Sequence, residues 1–575
     1  MPSMRLSSAD YLVVGGYFVL VLWIGIWFRN RLSTTNDYFA GGNQVPWWMA
    51  GISHYMSSFS AFSFIVYAQI AYTYGWVSVT LFWAAVPGCL AGGLFFAHRW
   101  RRARVITPVQ FLETRFNGML RQLFAWAAIP MKIFDDALKV FATGLFVSVA
   151  AGVSLPWAIV ICGVVMVAYT FFGGLWALVV TDYVQFLMKA LAILLMLPLA
   201  VHAAHGFRPA FSNLPVGFLR PVNGPYGWVY IAGFFVLMVV SYNASWSLAQ
   251  KYYSVRDDSE ASKAAYFSAA LNFVGAPLMI LPAIIGRHFL PDLVAQHQTA
   301  NTYVLLVLRL LPPGMVGIIM AAMFSATMAA VSGDFNAIAS VLTQDVYHRL
   351  IRPTATEHRL LSVGRWTTFT LGALTTALSL WVAFTHQESL FNLMVTVLGL
   401  FMAPTLLPLL CGLVSRRLNW QGAFLGFLSG LAAGIAMLAV QTCWARANTA
   451  FGSMYNFEGV ALLINTGATL VGMVLGTIFF PRSAPDAGKV GRFFESLDTP
   501  IQPDEIPVSR DNPAGALLGF STIGVGVLIV IAGIISGSAI ARLTDSAVGS
   551  ILLLIGLFLW SKSRAARKLK KSPAP

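Results

Sequence analysis

Asp334 stands in the stretch TMAAVSGDFN, residues 327–336, inside an apolar run long enough to cross a bilayer. A carboxylate at that depth is costly to desolvate and is read as functional by default. It lies one turn beyond Ala330 and eleven residues before Asp345, which puts it roughly 16 Å inside the helix end. Other ionisable residues share its situation. IFDDALKVF, residues 133–141, carries Asp135, Asp136 and Lys139, and Asp135 and Lys139 are one helical turn apart and able to pair. Asp182 and Lys189 are seven residues apart, two turns on one helical face and about 10 Å along its axis. Such groups can carry a proton or a cation, bind a charged solute, or pair with one another to steady a helix bundle. A lysine flanked by carboxylates keeps its charge where burial alone would remove it. His54 is read as helix packing.

These residues need apolar helices to hold them. Of 575 residues 58% are hydrophobic and 10% charged, with mean hydropathy +0.72, where soluble chains carry about 25% charged residues. Continuous runs of about 20 apolar residues recur from end to end, the signature of a polytopic helical membrane protein. They are not the alternating ten-residue pieces of a β-barrel. Fifteen spans are predicted at 11–28, 46–73, 75–98, 120–150, 155–173, 177–203, 228–249, 262–290, 313–343, 363–384, 388–412, 420–440, 456–480, 514–536 and 546–561. The net charge of +15 follows their linkers, so it points to a membrane surface and to no nucleic acid. With residues at span ends counted on the adjoining side, 27 of the 37 Lys and Arg fall on one face, including RWRRAR and KSRAARKLKK. Seven fall on the other, and Lys132, Lys139 and Lys189 lie within spans. The positive-inside rule then puts the C-terminus in the cytoplasm and the N-terminus outside, in a plasma membrane of bacterial type. Span 1 is kept as a span because Arg29 and Arg31 follow it and only Arg5 precedes it. The basic tail reads as an anchor facing membrane lipids.

Cys89, Cys162, Cys411 and Cys443 are too scattered for a disulfide or zinc framework. H-E-x-x-H, a Walker loop and G-x-S-x-G do not occur, so enzyme chemistry has no carrier in the sequence. Two spans differ in texture. Span 2 contains GISHYMSSFSAFSF and span 7 contains SYNASWSLAQKYY, placing hydroxyls and amides at mid-depth. Each opens a five-span block, spans 2–6 and 7–11. Interrupted polar helices at corresponding places in two halves point to a transporter site at the midplane, although Ser-rich faces also serve as helix–helix seams. Breaks are expected near Met56 and near Tyr242. The predicted organisation is an N-terminal end with span 1 and its inside loop (1–45), a first repeat (46–203), an outside loop (204–227) and a second repeat (228–412). Spans 12–13 (413–481), a cytoplasmic loop (482–513), and spans 14–15 with the tail (514–575) follow.

NDYFAGGNQVPWWMAG (36–51), TPVQFLETRFN (107–117), FFGGLWALVVTDYVQF (171–186) and NAIASVLTQDVYHR (336–349) together resemble the sodium:solute symporter family, over about residues 8 to 480. FFESLDTP (493–500), with two further spans behind it, resembles a subgroup with an extended C-terminus. The resemblance implies the leucine-transporter fold, an all-α architecture of two inverted five-helix repeats with a substrate site between them and alternating access. It implies a small-molecule solute, no obligate protein partner, and no cofactor beyond Na+ or H+ as the coupling ion. It also assigns the sodium ligands to the carbonyls of Met56, Phe59 and Ala326 and to two hydroxyls, at positions where this chain has Ala329 and Ala330. A hard cation prefers several oxygen ligands, so three carbonyls alone make a poor site.

Asp182 matches a family carboxylate near the inner end of the ion pathway. Lys189 stands where the family has an apolar residue, and in some sodium-independent transporters of this fold a basic side chain takes the ion's place. Lys189 is accordingly expected within hydrogen-bonding reach of the Met56, Phe59 and Ala326 carbonyls. A second family ion site combines the span 6 carboxylate with serines on span 9, where Ser332 fits and Gly333 does not, and the resemblance thus implies one buried cluster of Asp182, Lys189 and Asp334. The rival expectation is that Asp334 itself supplies sodium ligands. For the solute, Asp135 matches a position where sugar-carrying relatives use asparagine. The other sugar contacts become Ser63, Phe82 and Ser241, which argues against a sugar site rich in hydrogen bonds. A small charged or zwitterionic organic solute is expected, bound at Asp135 and lined by Ser63, Ser241, Tyr242, Asn243 and Trp246. An internally satisfied Asp135–Lys139 pair is the bland alternative. A transporter-like solute sensor is the reading from another class.

Overall fold

A computed structural model describes residues 6–571 apart from 30–34, 213, 297, 312–314, 386–389, 448–453, 482–483, 507–513 and 536–538. Arg5, Arg31 and the last four residues of the basic tail therefore lie outside the described residues. The protein is a bundle of helices with two isolated β-bridges, Val45 to Val255 and Asn223 to Tyr226. Helix is what a bilayer permits, because each backbone N–H and C=O must bond within its own segment.

Both expected breaks are present. Span 2 is two helices, Trp47–Ser57 and Ala61–Tyr74, so its break begins two residues past Met56. Span 7 is Trp228–Ala244 and Trp246–Tyr253, bent by 50° about Ser245. Each break is capped from a neighbouring span. The Ala61 N–H, an orphan donor at a helix start, donates to Thr327 Oγ1 of span 9 at 2.8 Å, and Thr143 of span 4 bonds the same hydroxyl at 2.8 Å. At the other break the Trp100 indole donates to the Asn243 carbonyl at 2.8 Å.

The helix count departs from expectation. Among the described residues nine helices are long and apolar enough to cross a membrane, or ten with the bent pair taken as one. The shortfall against fifteen has local causes. Span 2 is divided, the single helix Gly118–Ala151 of span 4 carries five charged residues, Arg121, Lys132, Asp135, Asp136 and Lys139, and Ser8–Ile24 and Asp545–Ser561 are short. Helix runs from Leu155 to Ala203 without the expected linker at 174–176, and of it Leu178–Ala203 is long and apolar enough to cross while the apolar stretch Leu155–Ala168 is short. At 1.5 Å per residue the whole run is about 73 Å of helix, enough for two crossings of a 30 Å core. The linker between spans 8 and 9 holds a helix that the sequence reading passed over, Thr302–Leu310, and the loop 482–513 holds another, Ala484–Asp498.

Linkers assigned to one face do meet there. The Val45 N–H donates to the Ser254 carbonyl, Arg102 pairs with Asp258, Thr107 donates to Asp345 at 2.8 Å, and Arg416 pairs with Asp498. Span 9 is the axis of the bundle, with each residue from Met315 to Val341 buried. Asp334 thus sits on the most enclosed helix.

The Thr327 cap gives a direct test. Thr327→Val keeps the shape and removes both bonds, and is expected to lower the stability of the detergent-solubilised protein by about 1–2 kcal/mol. Thr327→Ser should retain most of it. A melting midpoint unchanged in Thr327→Val would show that the span 2 break needs no cap from span 9.

Candidate functional site

Span 4 presents Lys132, Asp135, Asp136 and Lys139 along one side, at spacings of three and four residues that bring them together on a helix. Span 9 closes on this face with Asp334. The Lys139 ammonium lies 2.8 Å from Asp136 Oδ1, 3.0 Å from Asp135 Oδ2 and 3.1 Å from Asp334 Oδ2, and donates hydrogen bonds to Asp136 and Asp334. Lys132 Nζ lies 3.2 Å from Asp334 Oδ2 and 3.7 Å from Asp135 Oδ2. Ser247, just past the span 7 break, also bonds the Asp334 carboxylate. Three carboxylates converge with ligand oxygens within 4.8 Å of one another, and the cation they gather is the Lys139 ammonium.

This arrangement corrects the expected grouping of Asp182, Lys189 and Asp334. Asp334 faces span 4, away from the other two. Asp182 is fully buried and accepts a hydrogen bond from Ser53 of span 2. Lys189 is 1% exposed, and its ammonium makes no hydrogen bond among the described residues. It rests on aromatic faces instead, 3.0 Å from the Phe59 ring centroid and 3.7 Å from that of Tyr55. A cation there is held by the ring quadrupoles, so the expected capture by the Met56, Phe59 and Ala326 carbonyls does not occur. Those three residues are buried, and the Met56 carbonyl already accepts the Phe59 N–H at 3.1 Å. Ala329 and Ala330 are fully buried and bring no hydroxyl. Ser332 turns its hydroxyl to the Ala329 carbonyl of its own helix, at 3.5 Å. At Gly333 a Cβ would meet Ser57 Oγ at 3.3 Å and Ser247 Cβ at 3.5 Å. The glycine lets span 9 lie against both broken helices.

Between the two breaks is a cavity of about 130 Å3. Ser63, Asp135, Ser241 and Tyr242 line it, and so do Lys132, Lys139 and Asp334. Asn243 and Trp246 are absent from its lining. The Asn243 amide is turned to the Gly88 and Val239 carbonyls at 2.9 and 2.8 Å, and Trp246 is packed into the core. His54 is also away from it, stacked on Tyr252 at 4.9 Å with Nδ1 2.9 Å from Ser268. Seven serines and the phenols of Tyr67 and Tyr242 make the walls rich in hydroxyls, contrary to the inference drawn from the missing sugar contacts. The repeated serines of SSFSAFS were the signal for that.

Two residues escaped the sequence reading. Lys132 lies three before Asp135 and seven before Lys139, a spacing that already placed it on the same face. Lys251, on the inner half of span 7, is fully buried with no hydrogen bond to its ammonium among the described residues, and it interacts electrostatically with both Asp182 and Asp334.

Comparison with known proteins follows the same lines. The sequence model of the sodium:solute symporter family matches residues 38–430, more than half of the chain. The sodium/sialic acid symporter SiaT of Proteus mirabilis (strain HI4320) is 23% identical over 487 residues, covering 82% of this chain and 95% of the relative. Sodium/glucose cotransporter 2 of Rattus norvegicus is 27% identical over 482 residues, covering 75% and 72%. A solved structure of a Na+-coupled sialic acid symporter, in a substrate-bound outward-open state, superposes with a TM-score of 0.70 at 22% identity, over 82% of this chain and 98% of that one. The likeness shows the fold, the leucine-transporter architecture.

The contrast between paired and unpaired charges can be measured. Asp334→Asn takes the carboxylate shared by Lys132 and Lys139 out of the buried group and is expected to cost about 3 kcal/mol or more. Lys189→Met, of similar volume, removes a buried ammonium without a hydrogen bond and should be near neutral. Comparable losses of thermal stability in the two variants would show that the aromatic seat holds the bundle as firmly as the ion cluster.

Proposed function

The chain belongs to the sodium:solute symporter family, and from that premise we propose that it is a secondary active transporter of a small charged or zwitterionic organic solute. The solute is held between the broken spans 2 and 7 and crosses by alternating access. The observation that carries this reading is the cavity at the two breaks, where Asp135, Lys132, Lys139 and Asp334 share the wall with serine hydroxyls. Such walls suit a solute with a charged group and hydroxyls. Asp135 is the contact of choice, because its carboxylate reaches the cavity while Asp136 is fully buried behind it. Sialic acid, named for two relatives, is the first probe, with an amino acid and glucose as the other arms. Ser63, Ser241 and Tyr242 line the proposed site, and Asn243 and Trp246 act from behind by holding the bend of span 7.

The family supplies sodium as the coupling cation. One observation favours a second reading, in which transport is sodium-independent and driven by protons or by exchange. The Lys189 ammonium rests on the ring of Phe59, one of the residues assigned to sodium by its carbonyl, and Ala329 and Ala330 offer no hydroxyl there. In that reading Lys189 is the fixed charge near the ion's place, with Asp182, Ser332 and Asp334 along the pathway.

Two measurements separate these readings. Loss of a charge-assisted hydrogen bond costs about 1.5–3 kcal/mol, so Asp135→Asn should weaken binding of the preferred probe by about tenfold or more, and Asp136→Asn by less. Tight glucose binding indifferent to Asp135 would overturn the solute assignment. Uptake in sodium-free medium, with and without an imposed pH gradient, decides the ion. Uptake that requires sodium and ignores pH establishes symport with sodium. Sodium-free uptake that follows the pH gradient and is lost in Lys189→Ala establishes the second reading.

A further inference from the structure

FFESLDTP belongs to none of the machinery above, yet it is firmly placed. It ends the helix Ala484–Asp498, on which Val490, Phe493, Phe494 and Leu497 are buried at spacings of three and one residues, with Ile501 buried just beyond. One helical stripe therefore faces the bundle. Phe493 stacks on Phe111 at 5.9 Å, and the Arg115 and Arg416 guanidiniums lie 5.4 and 5.2 Å from the Phe494 ring centroid.

Around this apolar anchor runs a polar rim. Arg102 donates to the Leu497 carbonyl at 3.3 Å and Arg104 to the Ser496 carbonyl at 3.0 Å. Arg104 grips Glu505 with two bonds of 2.5 and 2.8 Å, and Arg416 reaches Asp498 at 2.5 Å. The segment thus bridges the end of span 3, the turn before span 4, and the end of span 11. The turn before span 4 also closes on the end of span 9. Arg121 pairs with Asp345, to which Thr107 donates, and Glu113 pairs with Arg349.

We propose that residues 484–506 are a strap that holds the basic face of the bundle shut, and that its release accompanies opening of the cavity to that side. This rests on the alternating-access reading, since only a transporter must part these helix ends. The segment from Arg102 to Arg121 carries the strap on one side and the end of span 9 on the other, so freeing one side loosens the other. The rim suits a reversible latch. Its ion pairs reach solvent, Arg416 and Asp498 with side chains 62% and 64% accessible and Arg104 and Glu505 with 29% and 33%, and such pairs are individually weak and screened by salt. Two phenylalanines supply the register.

Salt, not pH, is the lever. The Arg104 guanidinium holds the Glu505 carboxyl down at about 2. A carboxylate depressed in this way contributes above its ordinary range and is lost only as the pH falls towards that value.

The test is hydrogen–deuterium exchange of the full-length protein in nanodiscs, comparing wild type with Arg104→Gln, Phe494→Ala and the milder Glu505→Gln. Each variant should speed exchange in the strap, and with it, several-fold, in residues 107–121 and 342–351. Raised ionic strength should move the wild type the same way. Fast exchange in the strap with 342–351 unchanged would overturn the proposal, and so would a wild-type strap that exchanges freely. The readout needs no solute, so absence of uptake would count against the transport reading alone.

Discussion

A charge inside a bilayer has to find its counter-charge in protein, and the bundle is arranged around that constraint. Lys139 meets it by placing one ammonium among three carboxylates on two helices, and Lys132 adds a second ammonium to the same group. Removing two charges from water costs several kcal/mol per ion, offset only when geometry is good and the remaining donors are used. Lys139 makes two hydrogen bonds, to Asp136 and Asp334, and pairs with Asp135 at 3.0 Å, whereas Lys132 makes one hydrogen bond, to Asp334. Lys132 and Asp135 line the cavity together with Lys139 and Asp334, and one oxygen of the Asp334 carboxylate has no hydrogen bond among the described residues. Polar groups left over from a structural pair are what a bound solute can use.

The same constraint explains which features were legible beforehand. Within one helix the sequence is a reliable guide, since Asp135 and Lys139 are neighbours by spacing alone, and the serine runs mark both breaks. Between helices it is not. Nothing in the spacing of span 9 says whether Asp334 turns to span 4 or to span 6, because that depends on rotation about the helix axis, fixed by packing along its buried length. Lys189 shows the same limit. Its position on span 6 correctly places it beside the break of span 2, but an ammonium can settle on carbonyls or on aromatic rings, and Tyr55 and Phe59 offered the rings. Spans 5 and 6 were divided at 174–176, and helix runs through those three residues.

The linkers carry as much organisation as the spans. Segments far apart in sequence, from 45, 102–121, 254–258, 345 and 416 to 498–505, meet on one face. Their surplus of Lys and Arg is therefore more than a topological signal. Arg102, Arg104, Arg115, Arg121 and Arg416 each bond a carbonyl or a carboxylate of another linker. Guanidinium suits this work, because its planar fork satisfies several acceptors at once.

Within the spans the formal charges of Asp135, Asp136, Asp182 and Asp334 are balanced by those of Lys132, Lys139, Lys189 and Lys251. They are not balanced locally. Around the cavity, Asp135, Asp136 and Asp334 outnumber Lys132 and Lys139 by one, and on the span 6 side Lys189 and Lys251 outnumber Asp182 by one. Lys251 is shared, since it feels both Asp182 and Asp334. A positive group arriving in the cavity would neutralise the first set and leave the second with its excess. A cation at Asp182 would add to an excess already there. In the proposed transport cycle the two events therefore oppose or support one another through Asp334 and Lys251, the pair that spans the two sets. Asp334 lies on the helix that is buried along its whole length and borders the cavity, so a change in its pairing is met by the span 4 lysines packed on it or by what the cavity holds.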